Sequence, residues 1–232
     1  MTGLFEFPRS AALSRVVPKA RIYEHAGADT TLKALFVEQV DQIVWRFKLA
    51  PETLNLSATR SVPEIQVFEV VLRTGTLDED VLRVIDRAIP FPLIFELTHA
   101  GRRRAIAAFK RPSEADSSRW VVSDYFAAAW ESDAAPRQPL PVALDLGALY
   151  DRILSAMMPA PAKADEDIRA RVDRMEAIRA QEREVERIRL RLAREKQFNK
   201  RVAINAELRA AVLELERLGR VDVRTGTGTR GR

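Results

Sequence analysis

The C-terminal part of the chain contains its longest uninterrupted helix-forming stretch. Residues 162–218 include neither glycine nor proline, whereas Pro161 stands before them and Gly219 directly after them. Three acidic residues at 165–167 suit the positive end of a helix dipole, and a glycine can adopt the left-handed conformation that ends a helix. The pattern predicts one long, coiled-coil-like helix over residues 162–219, about 80 Å in length given the rise per residue of an α-helix. A small domain cannot cover such a helix, so its apolar side requires a partner.

The composition excludes several classes of site. The 232 residues include no cysteine and two histidines, His25 and His99. Zinc ribbons, thiol redox centres and cysteine nucleophiles are therefore excluded, and we expect neither a metal nor a cofactor. No apolar run approaches the length of a membrane span and no secretory leader pattern begins the chain, which favours a cytoplasmic protein without membrane contact. The formal net charge of +5 permits contact with nucleic acid without requiring it.

The residues before the long helix predict an α+β domain. Over residues 1–141, the patterning indicates a small, mostly antiparallel sheet with helices on one face. Residues 142–161 predict a connecting helix and a proline-containing linker, and residues 220–232 predict a disordered basic tail. In chain order, the elements expected within the domain are a helical piece at 11–17, a helix capped by Asp29 or Thr30, strands at 43–49 and 65–72, a helix from Thr76 to Ile89, a hairpin at 93–98 and 104–110, and a strand at 120–130.

Three glutamates are the candidates for catalysis. Glu69 and Glu96 lie within apolar strand sequences, where an unpaired carboxylate is costly to bury. If their strands pair, these carboxylates and Glu64 could converge with Lys110 or an arginine and form the metal site of a nuclease. Restriction-type nucleases require Glu-x-Lys on one strand, and the strings that begin at Glu64 and Glu96 both lack the lysine.

A structural role explains the buried carboxylates without catalysis. With a two-residue turn at residues 100–101, Glu96 lies opposite Ala105 and diagonal to Arg103 on the same face of the sheet. A cross-strand ion pair then satisfies Glu96, and Glu69 could pair with an arginine of a neighbouring element. We favour this explanation, because ion pairs are a common reason for acids among apolar neighbours.

Two groups of basic residues could bind nucleic acid. Residues 102–104, namely Arg102, Arg103 and Arg104, follow the predicted hairpin turn, where they could hold a phosphate or merely keep the strand end solvated. The arginines of the long helix that make one ridge basic are Arg183, Arg187, Arg191, Arg194 and Arg201. Nucleic acid or an acidic protein could bind this ridge. Pairs such as Glu184 with Arg187 would instead make it an ordinary solvated helix surface.

The apolar side of the long helix does not keep one heptad register. Ile178, Val185 and Leu192 recur at seven-residue steps, and the pattern then shifts by one residue at Phe198. A shifting register disfavours a uniform two-stranded coiled coil and favours different contacts along the helix, with a bend or break near residues 197–200. The residues expected to contact another protein or a second copy are Ile178, Val185, Leu192, Phe198, Leu208, Val212 and Leu215.

Several strings of residues carry a family resemblance. The strings at 35–40, 45–56 and 64–69, the Ala-Ile-Pro-Phe-Pro stretch at 88–92 and the closing residues 196–208 resemble a bacterial family, the domain of unknown function numbered 4391. The resemblance covers nearly the whole chain. It implies an accessory role, since members of that family are encoded beside helicases and DNA methyltransferases in restriction-like or phage-defence clusters. It supplies no catalytic residues that could be transferred to this chain.

The sequence therefore leads to one expected function and two alternatives. We expect a non-enzymatic accessory protein that docks through its long helix onto a helicase or DNA methyltransferase of a restriction-like antiphage system. One alternative is a metal-dependent nuclease that uses Glu69 and Glu96. The other is a stand-alone nucleic-acid-binding protein that uses the two basic groups.

Overall fold

The structure, a computed structural model, describes residues 3–116 and 119–220. The chain divides into two compact units with the boundary between Pro159 and Ala160. In chain order, the elements of the first unit are β1 (Phe5–Glu6), a 3-10 turn (Arg9–Ala11), β2 (Ala12–Val16), α1 (Lys19–Ala26), α2 (Thr30–Gln39), β3 (Val40–Leu49), α3 (Pro51–Leu54), β4 (Ile65–Leu72), α4 (Glu79–Ala88), β5 (Leu93–His99), β6 (Arg102–Pro112), β7 (Trp120–Ala127), β8 (Glu131–Ser132), β9 (Gln138–Pro139) and α5 (Leu146–Met157).

The main sheet is mixed but mostly antiparallel. Its strands follow the order β2-β3-β4-β5-β6-β7, and β8 pairs with the beginning of β6. Neighbouring strands are antiparallel except β4 and β5, which are parallel and are joined through α4. Short β1 and β9 form a separate parallel pair. The predicted mostly antiparallel sheet is confirmed, but the sheet is larger than the small one we expected.

Local sequence signals set several element boundaries. The Asp29 carboxylate caps α2 by accepting a hydrogen bond from the backbone N–H of Leu32 at 2.8 Å, as the sequence predicted. The cap of α4 is Asp78, which accepts from the backbone N–H of Asp80 at 2.9 Å. The expected start of α4 at Thr76 was therefore too early. Strand β4 spans the predicted residues, Ile65–Leu72.

The N-terminal segment differs from the prediction. Residues 11–17, expected to include a short helix, instead contain the edge strand β2, and helix α1 follows it. Strand β2 pairs with β3, with Arg15 opposite Trp45 and Val16 opposite Val44. The hydrogen-bonding edge of β3 provides this pairing, and a contact so distant in sequence leaves no local signal.

Helices α1, α2 and α4 cover one face of the sheet. Side chains at alternate strand positions meet these helices, because successive residues of a strand point to opposite faces. In α4 the contacts come from Val81, Leu82, Val84 and Ile85, which lie on its buried side. The fully buried strand residues of this layer include Phe68, Val70, Phe95, Leu97 and Ile106.

Helix α5, which follows the predicted domain of residues 1–141, lies against the opposite face of the sheet. Gly3 lies between Met157 of α5 and Ala105 of β6, so close to both that a Cβ atom added to Gly3 would be 2.9 Å from Met157 Cγ and 3.2 Å from Ala105 Cβ. Ala105 is the partner of Glu96, whereas its neighbour Ile106 belongs to the α4 layer. Helix α5 was expected to connect two domains, but it belongs to the first unit and its apolar side is fully buried.

The second unit contains two helices where the sequence predicted one. Helix α6 spans Ile168–Arg194 and helix α7 spans Phe198–Gly219. The Gln181 amide donates to the Ala211 carbonyl at 2.9 Å, and Arg191 pairs with Glu207, so the helices form an antiparallel hairpin. At the turn, the Glu195 carboxylate accepts from the Gln197 backbone N–H at 2.8 Å. The predicted single helix of about 80 Å is therefore wrong, although a break near residue 197 was anticipated.

The hairpin buries part of its own apolar surface. Val185 and Ile188 of α6 are buried together with Ile204 and Ala211 of α7. Other apolar side chains pack around them, so each helix acts as the partner that the other requires. Apart from Arg220, the predicted tail at residues 220–232 lies outside the described residues. In the part of the chain that the structure describes, no helix combines the length and apolar content of a membrane span.

Candidate functional site

Glu69 and Glu96 lie side by side on the sheet face opposite α4. Strands β4 and β5 pair with Glu69 aligned with Glu96, and Glu96 lies opposite Ala105 of β6 as the sequence predicted. The two carboxylates therefore converge, which the nuclease hypothesis requires. Lys110 does not join them, because its ammonium group contacts Asp86 and Ile89 at the other face.

Arginine side chains surround the two carboxylates. Arg137 donates two hydrogen bonds of 2.7 Å to Glu96, whose side chain is only 5% exposed. Arg103 lies between the two acids, 3.5 Å from Glu69 and 3.5 Å from Glu96. Arg46 approaches Glu69 at 3.7 Å from β3. The bonds to Glu96 raise the pKa of Arg137, since the carboxylate favours the charged guanidinium. The predicted ion pair of Glu96 with Arg103 is confirmed.

This arrangement favours a structural role for the carboxylates. Three guanidinium groups face two carboxylates, so a divalent cation would have to displace an arginine to reach both acids. Arg103 is also held from outside, where its Nε lies 3.3 Å from Asp133. Within residues 3–116 and 119–220, no group of three histidine, aspartate or glutamate side chains is placed to hold a metal ion. The geometry thus disfavours the nuclease hypothesis.

Glu64, the third candidate, lies apart from Glu69 and Glu96. Its carboxylate accepts a hydrogen bond of 2.5 Å from the Gln66 amide and lies 3.3 Å from the Lys48 ammonium. Gln66 is two residues before Phe68 and therefore shares the face covered by α1 and α4. The sheet separates Glu64 from the other two acids, so the three glutamates do not form one site.

A buried charged network joins α4 to the sheet. The Lys110 ammonium, 1% exposed, lies 3.3 Å from the Asp86 carboxylate and donates to the Ile89 carbonyl at 2.6 Å. The Tyr125 hydroxyl donates to the other Asp86 oxygen. Burial lowers the pKa of Lys110 and raises the pKa of Asp86, and the opposite charge of each partner counters both changes. The network anchors the C-terminal end of α4, because Lys110 satisfies carbonyl groups there.

The basic residues after the hairpin turn do not form one cluster. Arg102, Arg103 and Arg104 lie on strand β6, opposite His99, Thr98 and Leu97 respectively, and so point alternately to the two faces. Arg102 donates to the Trp130 carbonyl at 3.3 Å, and the Arg104 guanidinium lies 5.0 Å from the Trp130 ring centre. Burial lowers the pKa of Arg104. Because Arg103 faces the glutamates, the three side chains cannot hold one phosphate together.

The basic ridge of the helical hairpin is partly neutralised. Arg187 pairs with Glu184 at 2.6 Å, as the sequence predicted, and Arg191 pairs across the hairpin with Glu207. The remaining ridge residues are Arg183, Arg194 and Arg201, which are exposed and make no ion pair with described residues. The free positive charge is therefore concentrated near the turn between α6 and α7, where Lys196 and Lys200 add to it.

The apolar residues expected to bind a partner divide into two groups. Val185 is buried in the hairpin, and Leu192, Leu208, Val212 and Leu215 pack around the same cluster. Each of these residues packs in the cluster between the two helices of the hairpin, which corrects the expectation that they face another protein. Phe198, by contrast, is 78% exposed, and Ile178 is partly buried.

We define the hairpin tip as residues 187–202, the turn with the ends of both helices. Besides Phe198, it exposes Val202 to 54% and Leu190 to 50%. Phe198 and Val202 are four residues apart on α7 and so lie on one side of that helix. Leu190 lines a depression of about 450 Å³ together with Arg187, Arg191, Arg194 and Glu195. The tip therefore combines exposed apolar groups with an excess of positive charge.

Sequence reasoning missed several residues that hold these sites together. Arg137 lies in the segment 131–141, expected to be a surface excursion, yet it makes the closest contacts to Glu96. Asp86 and Tyr125 were not singled out, although both belong to the buried Lys110 network. Their positions on an apolar helix face and within a strand are the signal that could have found them, because a buried polar group needs a partner.

Comparisons with known proteins identify a family but no characterised relative. The family model described as Domain of unknown function (DUF4391) matches residues 5–215, which is most of the chain. No curated protein and no solved structure shows a significant match. The family resemblance seen in the sequence is therefore confirmed, and the comparisons assign no activity.

Proposed function

We propose that this chain, which belongs to the family described as Domain of unknown function (DUF4391), is a non-enzymatic accessory protein. It docks onto a DNA-acting helicase or DNA methyltransferase of a restriction-like antiphage system in the cytoplasm. The docking element is the hairpin tip rather than the side of one long helix. The partner classes follow from the resemblance noted in the sequence, and the docking surface follows from the exposed side chains of the tip.

The observation that carries the proposal is the exposure of Phe198 at the first position of α7. An aromatic side chain that remains 78% exposed gains little from folding, whereas Ile188 and Ile204, further from the turn, are buried in the hairpin. Aromatic residues contribute disproportionately to binding energy when a partner encloses them. Val202, one helical turn later, is exposed on the same side of α7 and enlarges the apolar surface that a partner can cover.

The charge of the tip indicates the kind of surface that fits it. Arg194, Lys196, Lys200 and Arg201 are exposed close to Phe198, and Glu195 is engaged by the backbone of the turn. A complementary surface is therefore acidic at its edge and contains an apolar recess for the phenyl ring. Such charges accelerate association more than they increase affinity, so the apolar contact supplies most of the binding energy.

The chemistry of the first unit supports a role without catalysis. Its convergent carboxylates are held by arginines, and its buried lysine is held by Asp86 and by helix carbonyl groups. Charged groups that are paired in this way do not present a nucleophile or a general base to a substrate.

The proposal is tested by capturing the tagged full-length protein from its native cells and identifying bound proteins by mass spectrometry. We expect a helicase or a DNA methyltransferase with the wild-type chain, and at least about tenfold less of it with Phe198→Ser, because a central aromatic anchor is lost. Leu213→Ser is the matched control, since Leu213 is also exposed but lies further along α7, outside the tip. It should recover the partner at the wild-type level.

Three outcomes would contradict the proposal. The first is recovery of neither partner class, or equal recovery with Phe198→Ser. The second is magnesium-dependent cleavage of plasmid DNA that Glu69→Gln abolishes, which would support the nuclease alternative. The third is salt-sensitive binding of duplex DNA by the isolated protein that Arg194→Ala and Arg201→Ala weaken, which would support the nucleic-acid-binding alternative.

A further inference from the structure

A cavity of about 450 Å³ opens in the first unit between α1, the edge of the sheet and the end of α4. Its volume lies within the range of about 300 to 1,000 Å³ that is usual for small-molecule sites. The lining residues include Ile22, Phe68, Ile89 and Pro90, which make most of the wall apolar. Neither Glu69 and Glu96 nor the hairpin tip lines this cavity.

One wall of the cavity is a pre-oriented aromatic surface. Trp45 lies opposite Phe68 on the neighbouring strand, and the two rings stack with centroids 6.0 Å apart and planes inclined by 14°. The indole N–H donates to the Phe47 carbonyl at 3.0 Å, which fixes the orientation of the ring. Trp45 is only partly buried and lines the cavity, so a planar ligand could stack on it without a rearrangement.

Three cationic or imidazole side chains line the same cavity, and none of its described lining residues carries a carboxylate. Arg21 and His25 are four residues apart and therefore lie on one side of α1. Arg15 lies on β2 directly opposite Trp45. All three are exposed and make no ion pair with any described residue. The mouth of the cavity is thus suited to an anionic group, for which arginine is the preferred protein partner.

A backbone irregularity in β2 directly precedes Arg15. The register with β3 shifts between Ala12 and Arg15, so β2 contains an extra residue at this point. Ser14 within the irregularity has φ of 52°, a left-handed conformation that is rare for residues other than glycine, asparagine and aspartate. Bulges of this kind redirect a side chain, and local backbone strain occurs preferentially at binding sites.

The floor of the cavity contains a polar group with spare hydrogen-bonding capacity. Gln66 is 5% exposed and lines the cavity. Its amide N–H₂ donates to Glu64, whose charge is compensated by Lys48. Its amide oxygen accepts no hydrogen bond from the described residues and remains accessible to solvent, although the residue as a whole is nearly buried. The oxygen can therefore accept from an N–H group of a ligand.

We propose that this cavity binds a nucleotide. The base stacks on Trp45 and donates an N–H to the Gln66 amide oxygen, and the phosphate lies between Arg15, Arg21 and His25. The ligand class follows from the three chemical features that occur together: a flat apolar surface, an acceptor at depth and positive charge at the mouth. The source is a free nucleotide or the 5′-phosphorylated end of a nucleic-acid strand, since both present the same group.

Isothermal titration of the full-length protein tests the site with AMP, GMP, CMP and UMP, with the matching nucleosides and with inorganic phosphate. We expect at least one nucleotide to bind with one-to-one stoichiometry and at least about tenfold more tightly than its nucleoside or phosphate, because each half supplies part of the contact. Arg15→Ala and Arg21→Ala should each weaken that binding about tenfold. Arg60→Ala, an exposed arginine outside the cavity, is the matched control and should leave it unchanged.

A 5′-phosphorylated tetranucleotide is titrated in parallel to distinguish the two sources. Tighter binding of the tetranucleotide identifies a strand end, and tighter binding of the mononucleotide identifies a free nucleotide; either result supports the site. The proposal is overturned if none of the probes binds, if inorganic phosphate binds as tightly as the nucleotides, or if Arg60→Ala weakens binding as much as Arg21→Ala. These outcomes do not depend on the hairpin tip, so they leave the docking proposal to its own test.

Discussion

The core of the first unit and the hairpin tip differ in how they hold polar and apolar side chains. The core of the first unit gives its buried charged groups partners, as Lys110 with Asp86 and Glu96 with Arg137 show. The hairpin tip leaves apolar groups exposed, and Phe198 is the most exposed of them. Buried ion pairs contribute little net stability but are costly to break, whereas exposed apolar groups contribute little to folding and are available for contacts.

This difference separates structural residues from candidate binding residues. In the first unit, replacing a buried charged residue should lower the free energy of unfolding. In the hairpin tip, replacing an exposed apolar residue should leave folding intact and weaken association with a partner. The contrast gives a practical criterion: a residue whose substitution changes both folding stability and association is neither purely structural nor purely a binding residue.

The largest effect is expected for Lys110→Met. The substitution leaves Asp86 buried without its cationic partner, and it removes the donor to the Ile89 carbonyl. We expect the free energy of unfolding to fall by about 3 to 5 kcal/mol, as when one member of a buried ion pair is removed. Urea unfolding followed by tryptophan fluorescence measures the change. Lys200→Met in the exposed hairpin tip should change the free energy of unfolding by less than about 0.5 kcal/mol. A loss as large as that of Lys110→Met would contradict the difference between the two regions.

A matched pair in α6 tests the apolar side of the comparison. Ile188 is 4% exposed in the hairpin core, whereas Leu190 is 50% exposed two residues later. Ile188→Ala should destabilise the hairpin by about 2 to 4 kcal/mol through lost burial and an unfilled cavity. Leu190→Ala should cost less than about 0.5 kcal/mol. Hydrogen exchange of the α7 amides reads out the stability of this unit, and equal effects of the two substitutions would show that Leu190 is also structural.

Glu96→Gln examines whether the convergent carboxylates are structural. The neutral amide cannot match both hydrogen bonds from Arg137, and it leaves the nearby Arg103 with less compensation. We expect a loss of about 1 to 3 kcal/mol in the free energy of unfolding, measured by urea titration. Glu6→Gln, at an exposed position of β1, serves as the control and should have no measurable effect. Unchanged stability of Glu96→Gln would mean that the cluster exists for another purpose.

A smaller and pH-dependent effect is expected at the beginning of the second unit. Hydrogen bonds from Arg174 lower the pKa of Glu166 below its ordinary value of 4.5. A folded pKa below the unfolded one means that the carboxylate adds stability above about pH 4.5 and loses it as the pH falls through the folded pKa. Glu166→Gln should therefore destabilise the hairpin by about 1 kcal/mol at pH 7, and the difference from the wild type should vanish at acidic pH.

The measurement is hydrogen exchange of the α6 amides at pH 7 and unfolding monitored by circular dichroism near pH 3. Glu182→Gln provides the matched control, because Glu182 is exposed on the same helix. A difference between Glu166→Gln and the wild type that persists unchanged at acidic pH would show that the Arg174 contact is not responsible.

Much of the first unit could be predicted from its sequence because its signals are local. Strand β4 shows a β-branched and aromatic stretch with clear ends, and the hairpin of β5 and β6 surrounds an Ala-Gly turn. That turn determined the register, and the register placed Glu96 diagonal to Arg103. The edge strand β2 and the position of α5 could not be predicted, since both depend on contacts with distant parts of the chain.

The candidate sites were less accessible to prediction than the fold. Arg137 reaches Glu96 and Asp133 reaches Arg103 from a loop whose course no local pattern determines. The nucleotide cavity combines residues of β2, α1 and β4, and His25 on its own carried no functional signal. The sequence indicated that the apolar residues of the long helix need a partner, and most of them pack in the cluster between the two helices of the same hairpin.

The sequence alone determined that the chain has an α+β unit followed by a helical segment, because hydrophobic periodicity and caps act over a few residues. Only the tertiary structure decided that the helical segment folds back at residues 195–197. No glycine or proline breaks the helix there, so helix propensity favours continuing it. Burial of Val185, Ile188 and Ile204 against each other outweighs the few hydrogen bonds lost at the turn. That gain in free energy depends on residues far apart in the chain, so local sequence patterns do not predict it.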